Sequence, residues 1–155
     1  MSRANIILIL GLIVGLVVMI GLFGSVFYLT RSYRKKYRIR QLDEMEGHDF
    51  EYYCAELLKR RGFVDVVVTK GSGDYGIDVL AEKDGVTYGI QCKAYTSPVG
   101  VKAVQEAYAG KEYYDRMVGA VLTNQYFTRP AVEAAKKLKI LLWDRGYLDS
   151  MIEEE

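Results

Sequence analysis

The sequence predicts an α/β sandwich around a mixed central β-sheet, preceded by one transmembrane helix. Three observations carry this. Residues 4–30 contain no charged side chain. From residue 47 onward, stretches with helical spacing and short β-branched runs succeed one another in the order α-β-β-β-α-β-α-β. The part beyond the apolar stretch, about a hundred residues, suffices for one hydrophobic core.

The uncharged run at residues 6–29 is long enough to cross a hydrocarbon core as a helix. A cleaved signal peptide has a shorter apolar region and a small-residue cleavage site. Here Phe27-Tyr28-Leu29 continues the apolar run and a basic block follows, so residues 1–30 read as a retained anchor. Arg31, Arg34, Lys35, Lys36, Arg38 and Arg40 follow the span, and only Arg3 and the amino terminus precede it. The positive-inside rule then places the C-terminal domain in the cytoplasm of a single-pass cell-membrane protein. The same cations suit anionic lipid, and Tyr28, Tyr33 and Tyr37 suit a membrane interface. Gly11 and Gly15 match GxxxG spacing, which Gly21 and Ser25 repeat, so a homodimer through the span is a secondary expectation. Residues 31–46 form a basic juxtamembrane segment, either a charged linker or a continuation of the helix.

The globular part, residues 47–155, opens with a helix over 47–61. Phe50, Cys54, Leu57, Leu58 and Arg61 have helical spacing, and Gly62 ends the run. Glu51 flanks this stripe and either reaches the sheet or is solvated. His48 reads as a surface residue at the helix start, and neither it nor the two cysteines, Cys54 and Cys92, has zinc-site spacing. In a cytoplasmic domain both thiols stay reduced. Residues 63–69 read as a strand. Residues 70–76 are glycine-rich and lack the Gly-Lys-Ser/Thr ending of a phosphate-binding loop, so the glycines serve a tight turn. Asp74 either adds a ligand or shapes that turn, the turn being the favoured reading.

Two strand-like runs follow, 77–82 and 86–93, with Lys83-Asp84-Gly85 between them as a hairpin signal. If Asp84-Gly85 is a two-residue turn, Lys83 pairs with Val86, and Asp78 then stands opposite Gln91. Side chains alternate, so Lys93 shares the face of Gln91. The other face collects Ile77, Val79, Ala81, Tyr88, Ile90 and Cys92 as core. A one-residue slip would bury Asp78 there and expose Ile90, so the core selects the register. Residues 95–100 form a loop with Pro98. Residues 101–114 form a helix with periodic Val101, Val104, Tyr108 and Lys111, on which Gln105 either faces the site or is exposed. Residues 117–123 are an apolar strand of a covered sheet. Residues 129–138 are a helix with Pro130 in its first turn, residues 139–143 a last strand and residues 146–153 a terminal helix.

The grouping of Asp78, Gln91 and Lys93 suits phosphodiester hydrolysis. A carboxylate and an amide oxygen are hard ligands appropriate to Mg²⁺, and a bound ion polarises a phosphoryl oxygen and acidifies water. Lys93 would orient that water or offset charge on the phosphate. The plainer reading is a surface hairpin on which Asp78 and Lys93 form a salt bridge of little energetic weight.

The stretch Gly73-Asp74-Tyr75-Gly76-Ile77-Asp78-Val79, followed by Gln91-Cys92-Lys93, resembles the Mrr-type branch of the PD-(D/E)XK nuclease superfamily, in which Gln commonly replaces the acid before X-Lys. The likeness extends to Gly47-His48-Asp49-Phe50-Glu51 and Gly62-Phe63. It continues through Val118-Gly119-Ala120-Val121-Leu122-Thr123-Asn124, Phe127-Thr128, and residues 140–143 with Asp144. It covers about residues 47–148. The resemblance implies a restriction-endonuclease-like sandwich and Mg²⁺-dependent cleavage of double-stranded DNA, with Mn²⁺ as an alternative ion, in restriction of foreign or modified DNA. It assigns Asp78, Gln91 and the Cys92 backbone carbonyl to the metal, Lys93 to catalysis and Glu51 to an auxiliary acidic role. Asp74, Gln105 and Lys102 are further candidates for touching DNA or supporting the ligands.

Composition pulls the other way. From Gln41 onward the chain has fourteen Lys/Arg against twenty Asp/Glu, net −6, whereas phosphate binding usually wants a basic surface. Part of the acidity is terminal, in Glu153-Glu154-Glu155, and part belongs to the expected metal site. Lys70, Lys93, Lys102, Lys111 and Arg129 are the cations expected to gather on one face. Fold does not fix function, so a non-catalytic DNA-binding or interaction module on the same fold is the alternative. The joint presence of Asp78, Gln91, Lys93 and Glu51 favours the enzyme. A structural membrane protein recruiting a partner through its sheet edge has no specific support in the sequence.

Overall fold

The fold is taken from a computed structural model, which describes residues 3–69 and 75–153; for residues 3, 4, 6–10, 31, 34–40 and 153 only the backbone is described. Lys70, Asp74, Glu154 and Glu155 therefore lie outside the described residues, as do the side chains of the basic block except that of Tyr33 and its neighbour Ser32. The chain divides into two units, residues 1–38 and 39–155.

The first unit is the helix α1, assigned Arg3–Asp43, whose last residues belong to the second unit. Within it Gly11–Thr30 is long and apolar enough to cross a membrane, and none of it is buried in the structure. Its serine and threonine hydroxyls are satisfied locally: Ser25 Oγ donates to the Gly21 carbonyl at 2.8 Å and Thr30 Oγ1 to that of Phe27 at 2.9 Å. The juxtamembrane segment takes the helical alternative through Asp43. Its Arg, Lys, Gln and Leu are good helix formers, and no glycine or proline interrupts them.

The second unit carries α2 (Gly47–Arg60), β1 (Val64–Val68), β2 (Val79–Lys83), β3 (Val86–Lys93), α3 (Val101–Tyr113), β4 (Val118–Thr123), α4 (Arg129–Leu138), β5 (Ile140–Trp143) and α5 (Arg145–Glu153). The sheet order is β1-β2-β3-β4-β5. The first three strands are antiparallel, and β3, β4 and β5 are parallel. This is the expected mixed sheet in the expected element order. The hairpin also has the expected register, with Lys83 opposite Val86 and Val79 opposite Ile90. Asp84 and Gly85 both take positive φ, 53° and 77°, the type I′ geometry whose twist matches the strands.

Both faces of the sheet are covered. On one, Phe50, Cys54, Leu57 and Leu58 of α2 and Leu148, Met151 and Ile152 of α5 pack on Val79, Ala81, Ile90, Cys92, Ala120, Leu122 and Trp143. Leu42, from the end of α1, joins this core. Its neighbour Asp43 accepts from both terminal nitrogens of Arg145, at 3.0 and 2.7 Å, and from Asn124 Nδ2 at 3.1 Å. On the other face Val104 and Ala107 of α3 and Ala131 and Ala135 of α4 pack on Val121 and Ile140.

Two expectations need correction. Ile77 is fully buried, but on the α3 side: a Cβ on Gly89 would lie 3.1 Å from Ile77 Cδ1. Strict alternation begins only at Val79, where β2 starts; before it the backbone turns at Gly76 (φ 84°), and Thr69 Oγ1 holds the Ile77 carbonyl at 2.7 Å. The buried stripe of α3 is Ala103, Val104, Ala107 and Gly110, not the larger Val101 and Tyr108, which are exposed. Small residues won because the helix lies close to the chain before β2. A Cβ on Gly110 would stand 2.6 Å from both Ile77 Cγ1 and the Tyr75 carbonyl, and one on Gly76 2.8 Å from the Glu106 carbonyl.

Gly110→Ala tests that approach. Alanine gains about 1 kcal/mol of helix propensity, but overpacking against a backbone carbonyl costs about 1–3 kcal/mol and more when nothing can yield. The expected result is a lowered thermal midpoint of the globular unit; a raised midpoint would mean that α3 does not sit this close.

Candidate active site

Asp78 lies between two strands that both hold its peptide. Its N–H donates to the Ile90 carbonyl at 2.9 Å, and its carbonyl accepts from the Thr69 N–H at 2.9 Å. The side chain is only 5% exposed. Its Oδ2 accepts from the Cys92 N–H at 2.6 Å and from the Gln91 side-chain amide. Charge-assisted bonds of this kind offset the cost of burying a carboxylate. Gln91 is buried as well, and its Oε1 finds no hydrogen-bond partner among the described residues.

Lys93 follows on the same face at the end of β3. Its carbonyl accepts from the Thr123 hydroxyl of β4 at 2.7 Å, and that hydroxyl oxygen in turn accepts from the Gln125 N–H at 3.1 Å. The ammonium pairs with Glu106 Oε2 of α3 at 3.0 Å. The expected ion pair of a surface hairpin, Asp78 with Lys93, is therefore replaced by one that reaches across to the covering helix. Burial alone would lower the Lys93 pKa, but the Glu106 bond and charge, helped by Tyr95 and Asp78, outweigh it and leave it raised. Lys93 is thus an ammonium at neutral pH. Lys102, one helical turn before Glu106, stands 3.7 Å from its other oxygen and is largely exposed.

These groups line one open cleft of about 640 Å³ between the start of α2 and α3. Glu51, Asp78, Gln91, Cys92, Lys93, Lys102 and Gln105 all border it, so every described residue expected at the site lies there. Glu51 is half-buried, and its Oε2 meets Nδ1 of the exposed His48 at 3.1 Å. Gln105 is exposed at the mouth. Lys111 and Arg129 do not border the cleft and are paired with Glu112 at 2.7 Å and Glu133 at 3.0 Å. The expected gathering of cations thus reduces, among the described residues, to Lys93 and Lys102.

Cys92 points away from the cleft into the α2 core, where it meets Cys54; that hydrogen bond, then burial, pushes its thiol pKa well up. Both cysteines are free and buried. Glu106 is the residue that sequence reasoning missed. Its only signal was an i, i+4 spacing from Lys102, common on exposed helices.

Among the described residues no three His, Cys, Asp or Glu side chains cluster as metal ligands. The donors shown here are of another kind: one carboxylate and one amide oxygen. Such a set suits a hard cation that keeps several waters. The orphaned Gln91 Oε1 fits it, because an unsatisfied buried oxygen costs about 1–3 kcal/mol that a cation would relieve.

No curated protein matches the chain significantly. Among solved structures, the crystal structure of a protein of unknown function, AF1548, is similar with a TM-score of 0.60 and 26% identity, over 70% of this chain and 66% of that one. The DNA modification-dependent restriction endonuclease AspBHI has a TM-score of 0.58 at 17% identity, over 81% of this chain and 35% of that one. The MspJI restriction endonuclease in complex with a 27-mer oligonucleotide has a TM-score of 0.52 at 17% identity, over 80% and 30%. The chain thus spans about a third of each of these two enzymes, which share its fold. The Mrr catalytic family, described as restriction endonuclease, matches residues 42–152. With most of its length inside that match and an α/β sandwich of the same fold, the chain belongs to the Mrr catalytic family of restriction endonucleases.

Proposed function

We propose that the protein is a membrane-anchored, metal-dependent endonuclease that hydrolyses phosphodiester bonds of double-stranded DNA in restriction of foreign or modified DNA. The observation that carries the reading is the buried Asp78–Gln91 pair with its unsatisfied amide oxygen, set beside the Lys93 ammonium in an open cleft. Family membership supports the reaction, and the oligonucleotide held by the similar MspJI structure supports the substrate. The modification dependence of AspBHI supports a modified target.

Asp78, Gln91 Oε1 and the Cys92 carbonyl would hold Mg²⁺, or Mn²⁺. When bound, the ion supplies Lewis-acid polarisation of the phosphate and a water of lowered pKa. The remaining work falls to side chains. Lys93, kept protonated by Glu106, donates hydrogen bonds to the phosphate oxygens and offsets their growing negative charge; a general-base role would need it neutral. Glu106 must yield part of this ammonium to substrate, and the 3.7 Å separation from Lys102 leaves that second cation free to follow the strand. Glu51 contributes an acidic group from the α2 wall, oriented by His48. The N–H of Cys92 fixes the Asp78 carboxylate before any ligand arrives.

Residues 11–30 support the anchor, and the basic block after them supports a cytoplasmic globular domain. A tethered nuclease acts on DNA near the membrane, which suits incoming DNA.

The full chain in detergent, given methylated and unmethylated plasmid with Mg²⁺ or Mn²⁺, is expected to cut. Asp78→Ala and Lys93→Ala should each lose at least about a hundredfold in rate while still binding DNA. Binding without cutting by the unaltered protein would favour the non-catalytic module. For the anchor, the protein should stay with membranes through an alkaline carbonate wash, and its C-terminal domain should resist external protease in intact cells. Release by carbonate would overturn the anchor, and digestion from outside would overturn the orientation.

A further inference from the structure

A pair of tyrosines stands at the edge of the cleft with no part in the chemistry above. Tyr75 borders the cleft just before Gly76 and Asp78. Its ring stacks on that of Tyr113, one turn beyond Ala109 on α3, with centroids 3.6 Å apart and planes 20° from parallel. Tyr114 meets Tyr113 edge-on at 5.1 Å. In spite of this stacking both rings are more than half exposed, Tyr75 at 55% and Tyr113 at 56%. Two stacked rings therefore keep much of their π-surface in water at the rim of an active site.

The charges nearby make the rings more telling. Any DNA strand offers phosphates, and sites for unpaired strands combine cations that track the backbone with aromatic faces on which bases stack. On the cleft itself, Lys93 pairs with Glu106 at 3.0 Å, and the largely exposed Lys102 stands 3.7 Å from the same carboxylate. From Gln41 onward the chain is net −6. Among the described residues the cleft thus sets two cations, Lys93 and Lys102, beside exposed aromatic faces next to Asp78. Such a surface recognises unpaired nucleotides, because any base can continue an aromatic stack whereas a paired base keeps its faces inside the helix.

We propose that Tyr75 and Tyr113 form a nucleobase-stacking platform, and that the DNA strand presented to Asp78 and Lys93 carries an unpaired base beside the scissile phosphate. This rests on the nuclease reading above and narrows its substrate from duplex DNA in general to DNA that is locally single-stranded at the cut. The spacing of the pair is that of stacked bases, so a nucleobase on an outer face extends the pile without moving either ring. A purely structural pair, stapling the chain before β2 to α3, would treat paired and unpaired DNA alike.

The test uses the full chain in detergent with EDTA and a fluorescein-labelled DNA, offered single-stranded, as a blunt duplex, and as that duplex with one unpaired nucleotide. Anisotropy should show the single strand and the interrupted duplex bound at least about tenfold more tightly than the blunt duplex. Tyr113→Ala should remove most of that preference, and Tyr113→Phe, which keeps the ring, should restore it. Equal or tighter binding of the blunt duplex would overturn the platform, as would an alanine variant that loses all three DNAs in equal measure. Repeating the series with Mg²⁺ and with Asp78→Ala separates the two readings. Preference without metal-dependent cutting sinks the nuclease and leaves the platform, whereas cutting lost in Asp78→Ala with no preference for unpaired DNA sinks the platform and leaves the nuclease.

Discussion

The bond from the Cys92 N–H to the buried Asp78 carboxylate is the constraint around which the globular unit is arranged. A carboxylate this deep is tolerated only when hydrogen bonds replace its water. Those bonds exist only in one register of β2 on β3, the register closed by the positive-φ pair Asp84-Gly85. The same register sends Ile90 and Cys92 to the α2 core and Gln91 and Lys93 to the α3 side. Folding and chemistry thus ask for the same strand pairing, which removes the usual conflict between a stable core and a polar site.

The hairpin was legible in the sequence because two local rules agreed. The Asp84-Gly85 signal and the alternation of Val79, Ala81, Ile90 and Cys92 select one pairing, and Asp78 follows from counting. The stripe of α2 was legible for the same reason, its large apolar residues having unambiguous spacing. Arg61 fell outside the helix, as its C-cap.

What was not legible depended on close approach. Periodicity weighs residues by size, so Val101 and Tyr108 outranked Ala103, Ala107 and Gly110 on α3. The buried face was set instead by how near the backbone must come to Tyr75 and Ile77, a distance that no single element encodes. Glu106 stayed hidden because its meaning lies in Lys93, which reaches it only once α3 is docked. Ile77 was misplaced because alternation was extended past the end of the strand, into the turn at Gly76. The expected cluster of cations failed for a different reason: Lys111 and Arg129 have acidic neighbours on their own helices, and sequence separation alone says nothing of where they point.

The hairpin has a consequence for how the site is assembled. Its pairing closes a loop of two residues, so the entropy lost in bringing Asp78 to Gln91 is small. The parallel pairing of β3 with β4 must first enclose α3, and the α2 wall carrying Glu51 comes from further away still. Asp78, Gln91 and Lys93 therefore meet through the cheapest long-lived contact of the sheet, and the costlier closures add the walls around them. In kinetic language, the geometry of the candidate site has low contact order inside a domain whose remaining topology does not.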